Sequence, residues 1–289
     1  MNARAAQLIV LTGLFARAAP AGAENADQPP PDKSGYHLFN PTPDTLMREL
    51  TPDRPDKTES PYTVDAGHFQ IEMDFARFTH DDSAGVRVQT WNVAPINFKV
   101  GLFNQADFQL IYDNYLNVRT EDHPAQTTVT QSGFGDLTAR LKINLWGDDG
   151  GKTAFGLLPF VKFPVNTGHV GNSLVEGGLI LPLAVKLPAG WDMGLEAGAS
   201  DLRNGNDNGR HAEIFNSATF GHDIIGKLGG YMEFFSNMST ERGAGWVGTV
   251  DIGLTYDVTD NVQVDTGVNF GVTRAADDEE FFAGLTVRF

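Results

Sequence analysis

Cysteine is absent from the 289 residues, so the chain can build no disulfide framework, thiolate metal site or cysteine nucleophile. Basic residues are scarce, with 21 Lys and Arg against 37 Asp and Glu. That balance argues against a nucleic-acid binder, which needs a basic face to replace counterions. Long apolar runs are also missing. Past the N-terminus the best is Gly178-Leu179-Ile180-Leu181-Pro182-Leu183-Ala184-Val185, followed by Lys186. It falls well short of the roughly 20 residues of a membrane helix. Aromatics, by contrast, are plentiful (20 Phe, 6 Tyr, 4 Trp), which excludes disorder for the bulk of the chain. The 32 glycines point to many turns or closely packed strands.

The first residues read as a targeting segment. Arg4 precedes an apolar stretch, Leu8 to Phe15, and Ala21-Gly22-Ala23 forms a small-x-small cleavage site. Residues 1–23 are therefore expected to be a secretory signal, cut before Glu24, and the mature protein to be exported from a Gram-negative cell. Residues 24–65 follow as a proline-rich stretch without periodicity, expected to be an extended N-terminal arm.

From Gly67 onward the period is two. Phe69, Ile71, Met73 and Phe75 alternate with His68, Gln70, Glu72 and Asp74, and the same alternation runs through 137–145, 175–186, 250–257 and 262–272. Near Pro95 the phase slips, which predicts a bulge or irregularity. The pattern predicts about twelve strands, a number within the range of outer-membrane barrels. The expected spans are 67–80, 86–101, 107–117, 134–146, 153–163, 174–187, 191–200, 212–222, 227–237, 246–257, 262–273 and 279–289. They are long enough to cross a bilayer at a tilt, which takes roughly 9–11 residues. The connectors alternate between short and long, with 118–132, 164–173, 201–211 and 237–245 as the long ones. Lipid satisfies no backbone polar group, so a chain without membrane helices spans it only as a closed barrel. The reading is all-β: a transmembrane antiparallel up-and-down β-barrel over 66–289, in the outer membrane, with both termini on the periplasmic side. The last strand puts Phe281, Ala283, Leu285, Val287 and Phe289 on one face. Its terminal aromatic, Phe289, resembles the mark by which the barrel-insertion machinery recognises outer-membrane proteins.

The stretch from Arg48 to Glu72, with Leu158-Pro159-Phe160-Val161-Lys162-Phe163-Pro164, Val175 to Pro182 and Asn216 to Asp223, is similar to a family of outer-membrane transporters labelled "putative MetA-pathway of phenol degradation". The resemblance covers roughly 45–289. It implies an outer-membrane barrel with a role in solute passage, and aromatic or other hydrophobic compounds as the solute class. It implies no catalytic residue.

A charge on the lipid face costs about 2–4 kcal/mol for Arg or Lys at mid-membrane, so the charged strand residues are expected inside. The lumen-lining candidates are Glu72, Asp74, Arg140, Lys142, Lys162, Glu176, Asp192, Glu196, Glu233 and Asp251, with His68, Lys227, Asp265 and Arg288 on the same phase. Either these charges shape a polar passage, or they pair and fill a narrow barrel. Inward glycines at 178, 194, 198, 253, 267 and 271 either leave space or ease curvature. In the arm, Asp53, Arg54, Asp56, Lys57 and Glu59 alternate in sign. They are plug candidates if the arm enters the lumen; otherwise the arm caps the barrel floor.

Enzyme signatures are poor. There is no G-x-S-x-G or H-E-x-x-H, and the seven histidines are scattered. In 201–209, Arg203 and Gly205 stand where a calcium loop needs oxygen ligands. No cofactor and no metal site are expected. The expected partners are outer-membrane lipids and lipopolysaccharide, the insertion machinery and a small-molecule solute. Two rival readings remain: an outer-membrane enzyme acting on lipid or lipopolysaccharide, with His80, His123, His169 or His211 near the outer rim, and a non-conducting structural or binding barrel.

Overall fold

A computed structural model describes residues 31–205 and 209–289. The signal segment expected at 1–23, residues 24–30 of the arm and 206–208 lie outside the described residues. One antiparallel sheet closes on itself. Its strands are β1 (Phe69–Ser83), β2 in two segments (Val86–Val93 and Ile96–Phe103), β3 (Ala106–Tyr112 and Tyr115–Asp122) and β4 (Thr127–Gly133 and Leu137–Trp146). There follow β5 (Thr153–Phe163), β6 (Glu176–Lys186), β7 (Trp191–Arg203), β8 (Arg210–Ile225), β9 (Leu228–Ser239), β10 (Val247–Thr259), β11 (Val262–Gly271) and β12 (Glu279–Arg288). Each pairs with its sequence neighbour, and β1 meets β12 from Gln70↔Arg288 to His80↔Glu279. The start of β1 and the end of β12 therefore lie at the end of the tight turns, here the lower end.

Burial is inverted relative to a water-soluble core. The buried residues of the strands are mostly polar, among them Gln70, Glu72, Asp74, Lys99, Gln109, Lys142, Asp251 and Thr286. The exposed ones include Phe75, Trp91, Ile214, Ile252, Leu254 and Phe270. An apolar exterior of this extent is stable only against lipid. Aromatic pairs gather toward the two ends of the wall: Phe69–Phe289, Trp146–Phe155 and Trp191–His222 below, Phe78–Trp91 and Tyr112–Phe134 above. Such girdles mark the membrane interfaces.

The slip near Pro95 is a break shared by three strands. β2 breaks at Ala94–Pro95, β3 at Asp113–Asn114 and β4 at Phe134–Asp136. Side chains and backbone pin the break: Asn92 donates to Asp113 at 2.7 Å, Asn114 to the Ala94 carbonyl at 2.5 Å, and the Gly135 amide to the Asp113 carbonyl at 2.8 Å. Above the break the strands continue. The long loop expected at 118–132 is instead a hairpin, Tyr115–Asp122 against Thr127–Gly133. Its second strand reads Thr-Thr-Val-Thr-Gln-Ser-Gly and is exposed on nearly every residue. Water wets both of its faces, so hydrophobic alternation disappears while the threonines keep their strand propensity.

Leu141 and Leu181 lie near the middles of their strands, with side chains opposite in phase to the inward Lys142 and Ile180. Leu141→Arg or Leu181→Arg should cost about 2–4 kcal/mol at that depth. Thr138→Arg, on the inward face, should fold far better. Heat-modifiable mobility on gels after refolding into bilayers reads the difference; equal yields would mean the assigned faces are wrong.

Candidate functional site

The interior is occupied by the protein's own arm. After a short 3₁₀ turn, Asp44–Leu46, residues 50–65 run without regular structure along the inner wall. A backbone of this kind, away from water, needs an acceptor for each amide. The wall's carboxylates supply them. The amide of Asp53 donates to Glu72 at 3.1 Å, Lys57 to Glu233 at 2.9 Å, Glu59 to Glu196 at 2.7 Å, Thr63 to Asp148 at 3.1 Å and Val64 to Asp107 at 3.0 Å.

The arm's side chains then balance the wall's charge. Asp53 lies between Lys99 and Lys142, both almost wholly buried, and Lys99 also bonds Glu72. Arg54 grips Asp265 through two nitrogens, at 2.9 and 2.6 Å, and reaches Asp74 at 2.6 Å. Lys57 meets Asp251 at 3.2 Å and Thr249 at 2.9 Å. Glu59 pairs with Arg140. The wall is sided. The bases that meet the arm's acids, Lys99, Arg140 and Lys142, come from β2 to β4, while Glu196, Glu233, Asp251 and Asp265 come from β7 to β11; Glu72 and Asp74 of β1 lie between the two groups. The arm turns acids toward the first group and bases toward the second. Glu233 and Asp251 stand directly opposite each other across β9 and β10. Two like charges in that position repel, and Lys57 relieves them by offering its amide to one and its ammonium to the other.

Below the membrane-spanning strands the arm is fastened again. Arg48 meets Asp148 at 2.5 Å and Asp65 at 3.2 Å, and Lys33 meets Asp149 at 2.7 Å. Burial raises the Asp148 carboxyl above its ordinary value, against the pull of Arg48 and of hydrogen bonds from Thr63. At Asp149 burial acts in the same direction, but hydrogen bonds from Lys33 and Asn104 outweigh it and hold the group below its ordinary value.

Of the residues picked from sequence, the structure gathers Glu72, Asp74, Arg140, Lys142, Glu196, Glu233 and Asp251 around Asp53, Arg54, Lys57 and Glu59. It leaves three apart. Lys162 and Glu176 pair with each other at 3.4 Å at the upper ends of β5 and β6, where Glu176 also accepts the Arg203 amide. Asp192 sits at the lower mouth, away from the arm's ion pairs. Asp56 has no lysine or arginine within ion-pair distance among the described residues. Lys99 and Asp107 escaped the sequence reading. Lys99 follows the break at Pro95, where the phase is ambiguous, and Asp107 opens a strand directly after a turn. Only a register that counted on from the break would have placed Lys99 inside.

Four inward glycines have a specific job. Gly178 lies opposite Phe160, Gly198 opposite Phe215, Gly253 opposite Tyr231 and Gly267 opposite Phe282. In each case a Cβ on the glycine would collide with the ring. The missing side chain lets the aromatic lie flat across the neighbouring strand instead of projecting into the lumen. Arg54 and Arg77 stand over the Phe282 face at 5.9 and 5.3 Å, and Lys57 over Phe235 at 5.2 Å. Beside the arm, a cavity of about 250 Å³ lies between Pro55-Asp56 and the lower ends of β7 to β10.

A closed twelve-stranded barrel with an apolar belt and a charged interior is the architecture of an outer-membrane β-barrel protein. Residues 52–289 match the sequence profile of the family described as "Putative MetA-pathway of phenol degradation", and the chain belongs to that family. No curated protein matches it at a significant level. Among solved structures, the COG4313 outer membrane channel from Pseudomonas putida F1 superposes with a TM-score of 0.60 at 12% identity, over 83% of this chain and 100% of that one. The translocator domain of the autotransporter NalP from Neisseria meningitidis reaches 0.46 at 9% identity, over 77% and 88%. At these identities the likeness to the channel is one of fold.

Asp53 ties the arm to two buried lysines. Asp53→Ala should cost the docked arm roughly 3–5 kcal/mol, because it strands the buried Lys142 ammonium and leaves Lys99 to Glu72 alone. Replacing all three residues together (D53L, K99M, K142M) should recover much of that loss. Protease cleavage within 50–65, in protein folded into bilayers, measures it. A single variant as resistant as the parent would show that the ion pairs do not hold the arm.

Proposed function

We propose that this protein is an outer-membrane channel closed by its own N-terminal arm, and that it passes small aromatic or otherwise hydrophobic solutes when the arm shifts. The aromatic class is supported by the family's description; the gating rests on the way the arm is held. Between Asp53 and Glu59 its hold consists of hydrogen bonds and ion pairs. Water can take over such contacts as the arm withdraws, whereas an apolar plug would have to expose its core. The lumen charges are then the seat of the arm in the closed state and the lining of the passage in the open one. In this reading the lower end faces the periplasm, Phe289 serves the insertion machinery, and the apolar belt meets lipid and lipopolysaccharide.

One observation favours the rival reading of a lipid-modifying enzyme. His211, at the upper end of β8, lies 3.5 Å from Glu213 and 3.8 Å from Glu241. A histidine between carboxylates is part of a hydrolytic site, but its Nδ1 is taken up by Asn204 at 3.0 Å and no serine is bonded to it among the described residues. Lipase and deacylase assays are expected to find no turnover.

Conductance in planar bilayers tests the channel. The mature chain should pass little current. A chain beginning at Ala66 should conduct more and favour cations, since the acids of β7 to β11 lose their basic partners and field lines focus in a low-dielectric pore. Unchanged conductance would end the plug reading, and silence from both folded proteins would end the channel reading. If the shortened chain does not fold, Asp53→Ala in the full chain serves in its place.

A further inference from the structure

The cavity beside the arm points to a preference in the solute. It holds about 250 Å³ and is lined by Asp56 of the arm, Gly194, Gly221, Gly229 and Tyr231 among others. A cavity of roughly 150 Å³ already admits benzene. This one therefore has room for a single ring with a small substituent. The space is open at Gly221 of β8, where a Cβ would meet nothing nearer than the Gly230 carbonyl at 3.9 Å. The Tyr231 ring lies flat on Gly253, so the wall offers its face rather than its edge. Its hydroxyl reaches past Gly253 to Gly267 of β11 and is buried there without a hydrogen-bond partner.

Charge restricts what can enter. Asp56 stands inside the cavity without a basic partner among the described residues. Asp192 and Asp223 line the mouth and are exposed, with Lys186 and His222 as the bases nearest Asp192. A neutral phenol can stack on Tyr231 and donate its hydroxyl proton to the Asp56 carboxyl. An aromatic amine adds attraction to the acids and to the ring face. An aromatic carboxylate meets like charge at the mouth.

We infer that this cavity is a binding station on the solute's route, selective for single-ring aromatic compounds that are neutral or cationic and closed to aromatic carboxylates. This rests on the function proposed above, since it names the solute that such a passage handles.

The test is equilibrium binding to the full mature chain in detergent, by saturation-transfer NMR, with phenol, benzylamine and benzoate as probes. Phenol and benzylamine should give saturable binding and benzoate at least tenfold weaker binding. Gly221→Phe fills the space and should abolish binding while the folded barrel keeps its mobility on gels. Should that variant misfold, Tyr231→Leu removes the ring face and should weaken phenol binding about tenfold. Replacing both mouth acids (D192N, D223N) should narrow the gap between phenol and benzoate. Benzoate binding as tightly as phenol, or phenol binding unaffected by either cavity variant, overturns the inference. A barrel that binds phenol but conducts nothing without its arm would sink the channel and spare the station. A conducting barrel that ignores phenol would do the reverse.

Discussion

A chain segment that crosses the inside of a membrane barrel without helix or strand must find an acceptor for each of its amides, because neither lipid nor a tightly filled lumen supplies one. Much of this structure follows from how that demand is met. Glu72, Glu196, Glu233 and Asp107 each take an amide of the arm, so the wall must be rich in acids. Buried carboxylates repel one another and are costly to desolvate, so bases must reach them. Some bases stand on the wall itself, as Lys99, Arg140 and Lys142 do. Others have to arrive with the arm, as Arg54 and Lys57 do. Arm and wall are thus two halves of one electrostatic system, and each is unsatisfied without the other.

The sidedness of the wall follows from the same constraint. With Lys99, Arg140 and Lys142 on β2 through β4 and Glu196, Glu233, Asp251 and Asp265 on β7 through β11, the two sides offer the arm opposite charges, and a segment of alternating sign can be oriented between them. The order Asp53, Arg54, Lys57, Glu59 fits that arrangement as the chain winds between the two sides. The opposed Glu233 and Asp251 are the clearest sign that the wall alone is frustrated and that the arm completes it.

How far the sequence discloses this depends on which signal each feature leaves. Strand phase is legible because lipid enforces it: Ile252 and Leu254 face out, Asp251 faces in, and the period of two survives wherever the wall is in the membrane. It fails where water wets both faces, which is why the hairpin above the break reads as a loop. Charged residues on a clean phase, such as Lys142 and Asp251, could be placed inside. Lys99 could not, because the break at Ala94–Pro95 uncouples its phase from the strand before it. Depth is not legible at all: Lys162 and Lys142 share a face pattern, yet one pairs at the rim and the other lies buried against the arm.

The inward glycines show how a sequence signal can be real while its meaning stays hidden. A glycine in a strand suggests either space or curvature, and both readings are local. Here the deciding fact is non-local, namely what stands opposite. Phe160, Phe215, Tyr231 and Phe282 each need a neighbour without a side chain in order to lie flat, so each glycine spends its vacancy on a ring. The lumen keeps its width at those levels, and its wall gains flat aromatic faces next to charged groups. Gly221 faces no such ring, and the vacancy it leaves is part of the cavity beside Asp56. Whether a glycine yields a smooth wall or an open space is therefore set by register, which only the closed barrel fixes.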